Sequence, residues 1–484
     1  MFLPLVQPKP IPEQMRSART YQEWAQLAAA YDRENGLDEW KATDASELYD
    51  YRLIRSRYEL IRDLRQRKDY HQLLFVLNEG IHGNLGGMGK PSLYNKAMFG
   101  TKELIHRYIE EVCYALEDLA QVDESIISLE EKRDFFWRAS HCYGRTALML
   151  SGGAVLGFFH AGVLKALFDE NLLPSIISGS SAGSIFAAIV CTHTDDELRQ
   201  RLSIDNLHHD IEESTAARPV ISLFGPHKPM VDAENLRNYL AKLIPDLTFA
   251  EAYRLTGRAL NITVTGLSPR QAPRLLNAIT APNVYIRSAV MASCAIYGIY
   301  PPVTLMSMNS AGERVPYLPD MQWIDGSFVD DLPAKRLARL YGVNHFICSM
   351  TNPAALAMTP DPDAPANPIQ AAINYHARML KVATTEALKL SRDHLRIKSP
   401  VGSLLQHLSY SVLAQEYTAD INIFLRNRWD HPLRLLAPPS REAMMRLIRE
   451  GELATWEKME MVRNCTAISR TLARIRHRLG QADP

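Results

Sequence analysis

Residues 174–192 read PSIISGSSAGSIFAAIVCT, and this stretch decides the fold. A short apolar run, Ile176-Ile177, leads into Gly179-Ser180-Ser181-Ala182-Gly183, and a run of small and apolar residues follows. Strand, tight turn and helix are thus expected in that order, with the helix beginning near Ala182. In a G-x-S-x-G turn of this kind the flanking glycines, Gly179 and Gly183, remove side chains that would clash. The central Ser181 is then left at the top of a sheet, beside the positive end of a helix. A plain packing turn of small residues would use the same letters.

One strand–helix unit earlier, residues 145–164 read RTALMLSGGAVLGFFHAGVL. The apolar run breaks at Ser151 into Gly152, Gly153 and Ala154, with Gly157 one turn on. Small residues here allow successive backbone N–H groups to face one point and bind an anion. An oxyanion loop fits a position just before the serine turn. A phosphate-binding loop or a simple turn would look similar. Downstream, SIISG, ALNITVTGL (259–267) and HFICSMTN (345–352) read as buried strands separated by helical stretches. Alternation of this kind implies an α/β fold: a three-layer core with a mostly parallel sheet, flanked by helical regions at both ends.

The third motif is Trp323-Ile324-Asp325-Gly326-Ser327. An acid at the end of an apolar run, followed by Gly326 and Ser327, can stand on a tight turn at the sheet edge and take a proton from Ser181. Partial burial would raise its pKa and make it a better base. His345, after Asp325 and near another strand, is the rival base, because a Ser–acid–His order is also common. Residue spacing alone leaves both open.

Taken together and in order, SGGAVLGFFHAGVL, GSSAG and DGS resemble the patatin-like acylhydrolases. The resemblance implies a Ser–Asp dyad, which favours Asp325 over His345, and chemistry without metal or cofactor. Ser327 stands where that family usually has Gly or Ala, and Tyr297 where proline is expected. Further blocks, including YQEWAQLAAAYDRENGLDEWK (21–41), GTKELIHRYIEEV (100–112), LAQEYTADINI (413–423) and GELATWEKMEMVRN (451–464), resemble one branch of that family. That branch comprises triacylglycerol lipases of fungi and plants and their bacterial relatives. It implies cleavage of long-chain acyl esters, in triacylglycerol or phospholipid. Transfer of the acyl group to a lipid alcohol, or lipid binding without catalysis, are the alternatives.

The remaining chain sets boundaries around this core. Residues 1–140 read as an N-terminal helical domain, with Leu53, Ile54, Leu60, Ile61 and Leu64 at helical spacing. Residues 146–343 read as the catalytic α/β domain. Residues 344–484 read as a mostly helical extension, entered through the proline-rich loop TNPAALAMTPDPDAPANP (351–368). GNLGGMGK (83–90) mimics a phosphate loop, but Asn84 and Pro91 occupy the positions of the required Gly and Ser/Thr, so it reads as a structural loop.

Near the end, Ile468, Leu472, Ile475 and Leu479 share a helical face, and Arg470, Arg474 and Arg478 another. Such a helix either lies on an anionic lipid surface or packs on its own protein. With 54 basic and 54 acidic residues the formal charge is +0, so no overall field draws the chain to nucleic acid. The six cysteines form no C-x-x-C pair, which suits a reducing compartment. Neither a signal peptide nor a transmembrane run is legible. A cytoplasmic enzyme visiting a membrane or lipid-droplet surface is the expectation.

Overall fold

The computed structural model describes residues 12–202, 233–267, 271–296, 300–358, 379, 386, 419–425 and 439–481. The strands in chain order are β1 (Arg145–Leu150), β2 (Ile176–Gly179), β3 (Ala259–Gly266), β4 (Arg274–Leu276), β5 (Met306–Met308), β6 (Arg314–Pro316), β7 (Trp323–Asp325), β8 (Val343–Met350) and β9 (Ile421–Phe424). β5 and β6 form a small antiparallel pair. The other seven make one sheet ordered β4-β3-β2-β1-β8-β9, with β7 also on β3. β3, β2, β1, β8 and β9 run parallel, whereas β4 and β7 run antiparallel to β3. Every residue of β2 and β3 is buried. A strand buried on both faces needs no polar–apolar alternation, and a layer of helices on each side supplies that cover.

The helices used below are α1 (Tyr51–Gln66), α2 (Glu103–Gln121), α3 (Leu129–Tyr143), α4 (Phe158–Asp169), α5 (Ala182–Thr192), α6 (Ile286–Ser293), α7 (Ala334–Tyr341), α8 (Arg441–Trp456) and α9 (Met459–Arg478). α5 packs on β2 and β3, α6 on β3 and β7, and α7 on β8.

Register explains where β7 ends. Ile262 pairs with both β2 and β4, so those strands lie on opposite edges of β3. Val264 pairs with both β4 and β7, so β7 lies on the β2 edge. β2 stops at Gly179 opposite Ile262, and β7 fills the vacated edge with Asp325 opposite Val264. The acid is therefore delivered directly beyond the serine turn.

Two expectations are corrected. The α/β core does not stop at residue 343, because β8 pairs with β1 in the middle of the sheet and β9 pairs with β8. The extension expected to be mostly helical thus contributes to the sheet the strand read at 345–352 and a second, unforeseen one, β9, whose four residues Ile421–Phe424 are all buried. So short a run is indistinguishable from a helix segment until a partner strand is present. On α1, Ile54, Ile61 and Leu64 are buried while Leu53 and Leu60 are exposed, since a 3.6-residue period turns the latter pair off the packed face. Apart from residues 379 and 386, the stretch 371–397 of the helical extension lies outside the described residues, as does the position Tyr297.

The terminal helices close on the sheet domain and on each other. The apolar face of α9, with Ile468, Leu472 and Ile475 buried, packs against α2 and α3. Its arginines are engaged as well: Arg474 meets Glu117 of α2 at 2.7 Å, and Arg478 pairs with the same carboxylate. The basic helix therefore packs on its own protein. The GNLGGMGK segment forms a turn in which the Asn84 side chain accepts the Gly89 N–H at 2.8 Å.

α4 and α8 cross at a pair of glycines. A Cβ on Gly162 would strike the Ile448 carbonyl, and one on Gly451 the Phe159 carbonyl. Lys165 and Glu452 pair at 2.9 Å beside the crossing. Gly162→Ala should therefore lower stability by about 1–3 kcal/mol, read as a lower midpoint in denaturant unfolding. An unchanged midpoint would mean that the crossing is looser than described.

Candidate active site

β1 is a switch point: the chain proceeds from it to β2 on one side and later returns to β8 on the other. In parallel sheets, the crevice beyond the carboxyl ends of strands at such a point is the usual binding place. Ser151–Gly153 leaves β1 there, Ser180–Ser181 leaves β2, Thr351–Asn352 leaves β8, and Asp325 arrives on β7.

Ser181 adopts φ 49°, ψ −124° directly before α5. A non-glycine residue at positive φ costs on the order of 1–2 kcal/mol, and local bonds offset that cost. The Ser181 N–H donates to Ser293 Oγ at 2.9 Å, and its carbonyl accepts the Ser184 hydroxyl at 2.6 Å. Both flanking glycines are required by contact. A Cβ on Gly179 would strike the Gly183 carbonyl, and one on Gly183 the Leu150 carbonyl at the end of β1. Ser181 stands at the top of the sheet, as expected of such a turn, yet is only 6% exposed. An ester must therefore enter the crevice to reach it.

Asp325 is buried and takes the Ser327 N–H on Oδ1 at 2.8 Å. Burial raises its pKa to about 7, and the nearby Asp331 adds to this. Hydrogen bonds from the Ser327 amide, the Ser181 hydroxyl and the Ser327 hydroxyl hold it down from a higher value. Serine and acid are thus brought together. Gly326 packs against the Thr263 carbonyl of β3, where a Cβ would not fit.

The glycine loop lies over the serine. Gly152 has Ser181 Cβ and Ser327 Cβ about it, at 3.3 and 3.0 Å from where its own Cβ would stand. Its N–H, expected to face the oxyanion, donates instead to Asp331 Oδ1 at 2.8 Å. The amides of Gly153 and Ala154 remain open among the described residues. Ala154, at φ 49°, is a second strained non-glycine residue beside Ser181. Gly157 plays a packing part, since a Cβ there would meet Ala182 Cβ at 2.7 Å.

His345 does not join the site. It pairs with Thr146 near the start of β1 and hydrogen-bonds the Thr146 hydroxyl at 3.1 Å. The serine turn lies beyond Gly179, which pairs with Leu150 at the other end of the same strand. Burial lowers the His345 pKa.

Several polar residues around the site were not singled out from the sequence. His160 of α4 is wholly buried, bonded to Ser349 Oγ at 2.7 Å, the Ser151 carbonyl at 2.9 Å and Thr351 Oγ1 at 3.1 Å. Burial pushes its pKa down to about 4, so it is neutral at pH 7. Asp331 and Ser293 were missed as well. The available signal was a polar residue inside an apolar stretch, as in FFHAGVL, and the second acid of Asp330-Asp331.

Residues 148–338 match the family described as patatin-like phospholipase. The chain is also 32% identical to triacylglycerol lipase ptl2 of Schizosaccharomyces pombe, over 93% of this chain and 72% of that one. The chain belongs to the patatin-like phospholipases. Membership places it among the lipid acylhydrolases, which are carboxylic ester hydrolases. Triacylglycerol lipase ptl3 of the same yeast is 32% identical and matched over 95% of each chain. Triacylglycerol lipase 4 of Saccharomyces cerevisiae is 36% identical, and this chain spans 51% of its length. Residues 7–141 match a domain of unknown function, DUF3336.

The buried acid has a thermodynamic signature. Asp325 binds its proton more tightly folded than unfolded. Its contribution to stability is therefore complete below about pH 4 and is lost as pH rises through about 7. Asp325→Asn, neutral throughout, should be more stable than the wild type at pH 8 by roughly 2–4 kcal/mol, read as a higher unfolding temperature. The advantage should vanish toward pH 4. A variant no more stable than wild type at pH 8 would contradict a desolvated carboxylate here.

Proposed function

We propose that this chain hydrolyses the fatty-acyl esters of glycerolipids, with Ser181 as nucleophile and Asp325 as its base. The observation that carries the reading is a strained serine whose hydroxyl helps hold down the raised pKa of a buried carboxylate. Ionised Asp325 takes the hydroxyl proton as Ser181 Oγ bonds to the carbonyl carbon. The N–H groups of Gly153 and Ala154, with the N-terminal dipole of α5, receive the negative charge on the carbonyl oxygen. As the tetrahedral intermediate collapses, the C–O bond to the alcohol breaks and Asp325 returns the proton to the leaving oxygen. Water then attacks the acyl-serine, losing a proton to Asp325; the bond from the acyl carbon to Ser181 Oγ breaks, Asp325 returns that proton to Oγ, and the fatty acid leaves.

A carboxylate with pKa near 7 suits this task, since it is ionised at working pH yet basic enough to draw on a hydroxyl. The relatives are named triacylglycerol lipases, which supports triacylglycerol as substrate, with phospholipid as the companion class. Among the described residues no helix is long and apolar enough to cross a membrane, and all six thiols are unpaired. The unpaired thiols support a reducing, cytoplasmic setting, and the lipid substrates named for the relatives support work at a membrane or lipid-droplet surface. In this reading residues 146–343, together with β8 and β9, do the chemistry, and the helices of 1–140 and 441–478 buttress them.

On a p-nitrophenyl acyl ester, Ser181→Ala and Asp325→Asn should each lose at least about 10³-fold in kcat. The wild-type kcat/KM should rise with pH to a plateau above about pH 7, as Asp325 loses its proton. Retention of wild-type turnover by either variant would remove the pair from the mechanism. Lipid mass spectrometry with added glycerol separates hydrolysis from acyl transfer: new glycerides in place of free acid would mean transfer.

A further inference from the structure

We propose that Asp331 is the positioning residue of this site: it clamps the glycine loop over Ser181 so that the Gly153 and Ala154 amides face the reacting oxygen. The inference rests on the Ser181–Asp325 reading and adds to it a second acidic residue, one that touches no substrate.

Asp331 lies six residues beyond Asp325 and is itself buried. Its carboxylate joins the ends of three strands. Oδ1 accepts the Gly152 N–H at 2.8 Å from the loop after β1, and the Ser180 hydroxyl at 2.7 Å from the turn after β2. Oδ2 accepts the Asn352 side-chain amide at 2.8 Å, after β8. The Ser180 hydroxyl also reaches the Asp331 carbonyl, at 2.9 Å. Each of these contacts brings a donor to the carboxylate, which favours its ionised form. A neutral amide at this place would set an N–H against one of them.

The next peptide unit, between Gly152 and Gly153, is held too. The Gly152 carbonyl accepts hydrogen bonds from Ser151 Oγ and Thr351 Oγ1, both at 3.1 Å. In a trans peptide the carbonyl and the next N–H point in opposite directions. Fixing the Gly152 oxygen therefore fixes the Gly153 N–H. Two adjacent glycines would otherwise leave this loop freer than any other pair of residues. Asp331 at one end and Thr351 at the other replace that freedom with one orientation. Catalysis depends on such placement, because donors misplaced by about 1 Å cost on the order of 10²-fold in rate.

Asp331 also faces Asp325 electrostatically. Around the two acids stand Asp330, which is paired with Arg336 at 3.2 Å, and the thiols of Cys294 and Cys348. Removing the Asp331 charge should ease ionisation of Asp325.

Two variants separate position from charge, with Ser181→Ala as the control. Asp331→Ala deletes the clamp. Its kcat on a p-nitrophenyl ester should fall about 10²-fold with KM within about threefold. Inhibition by a long-chain trifluoromethyl ketone, which forms an oxyanion on Ser181, should weaken by a similar factor. Asp331→Asn keeps the shape and one acceptor oxygen. It should retain kcat within about tenfold while the acid limb of its kcat/KM profile moves to lower pH. A folded Asp331→Ala with unchanged ketone inhibition overturns the proposal, as does an Asp331→Asn whose acid limb stays put. If Ser181→Ala keeps activity, the Ser–Asp reading fails instead.

Discussion

A serine held at φ 49° between the end of β2 and the start of α5 constrains everything around it. The turn exists only because α5 approaches the ends of β1 and β2 so closely that Gly179 and Gly183 have no room for a Cβ. Strain of this sort persists where the surroundings over-determine it. Here the Ser293 hydroxyl, the Ser184 hydroxyl and the first turn of α5 all bond to the strained residue. Ala154, one strand over in the loop after β1, also stands at φ 49°. Two unfavourable backbone conformations side by side mark a place shaped for chemistry at a cost in stability.

Burial does the second half of the work. Asp325 and Asp331 are both shielded from water, and both have raised pKa values, to about 7 and about 6, chiefly for that reason. Their partners differ, and so do their parts. Asp331 meets three donors fixed on three strand ends, an arrangement that favours its charge. Asp325 meets the Ser327 amide and the hydroxyls of Ser181 and Ser327, and in the proposed mechanism the Ser181 proton is the one to be moved. One acid is tied into the scaffold and the other stands against the reacting group. His160, kept neutral by its burial, links β8 to the loop after β1 without adding a charge to the crevice.

The helices outside the sheet matter through their packing. α4, which follows the glycine loop, crosses α8 at Gly162 and Gly451, close enough for backbone to meet backbone. α9 in turn lays its apolar face on α2 and α3 and directs Arg474 and Arg478 to Glu117. The position of the loop over Ser181 is thereby coupled to helices from both ends of the chain. A basic amphipathic pattern that would equally suit a lipid surface is here consumed by intramolecular contact.

The sequence by itself determined the strand–turn–helix around Ser181, the glycine loop before it and the α/β class, because each is a local matter of backbone sterics and apolar runs. Spacing could not choose between Asp325 and His345. That choice waited on the register of β7 against β3 and on the pairing of His345 with Thr146 at the far end of the sheet. Nor could it show that the Gly152 amide is spoken for, that Ser181 is nearly buried, or that Ile421–Phe424 is a strand. Each of those depends on a partner far away in the chain. Local letters fix which conformations a segment can take; only the folded neighbours fix which donors remain open and which acid meets the serine.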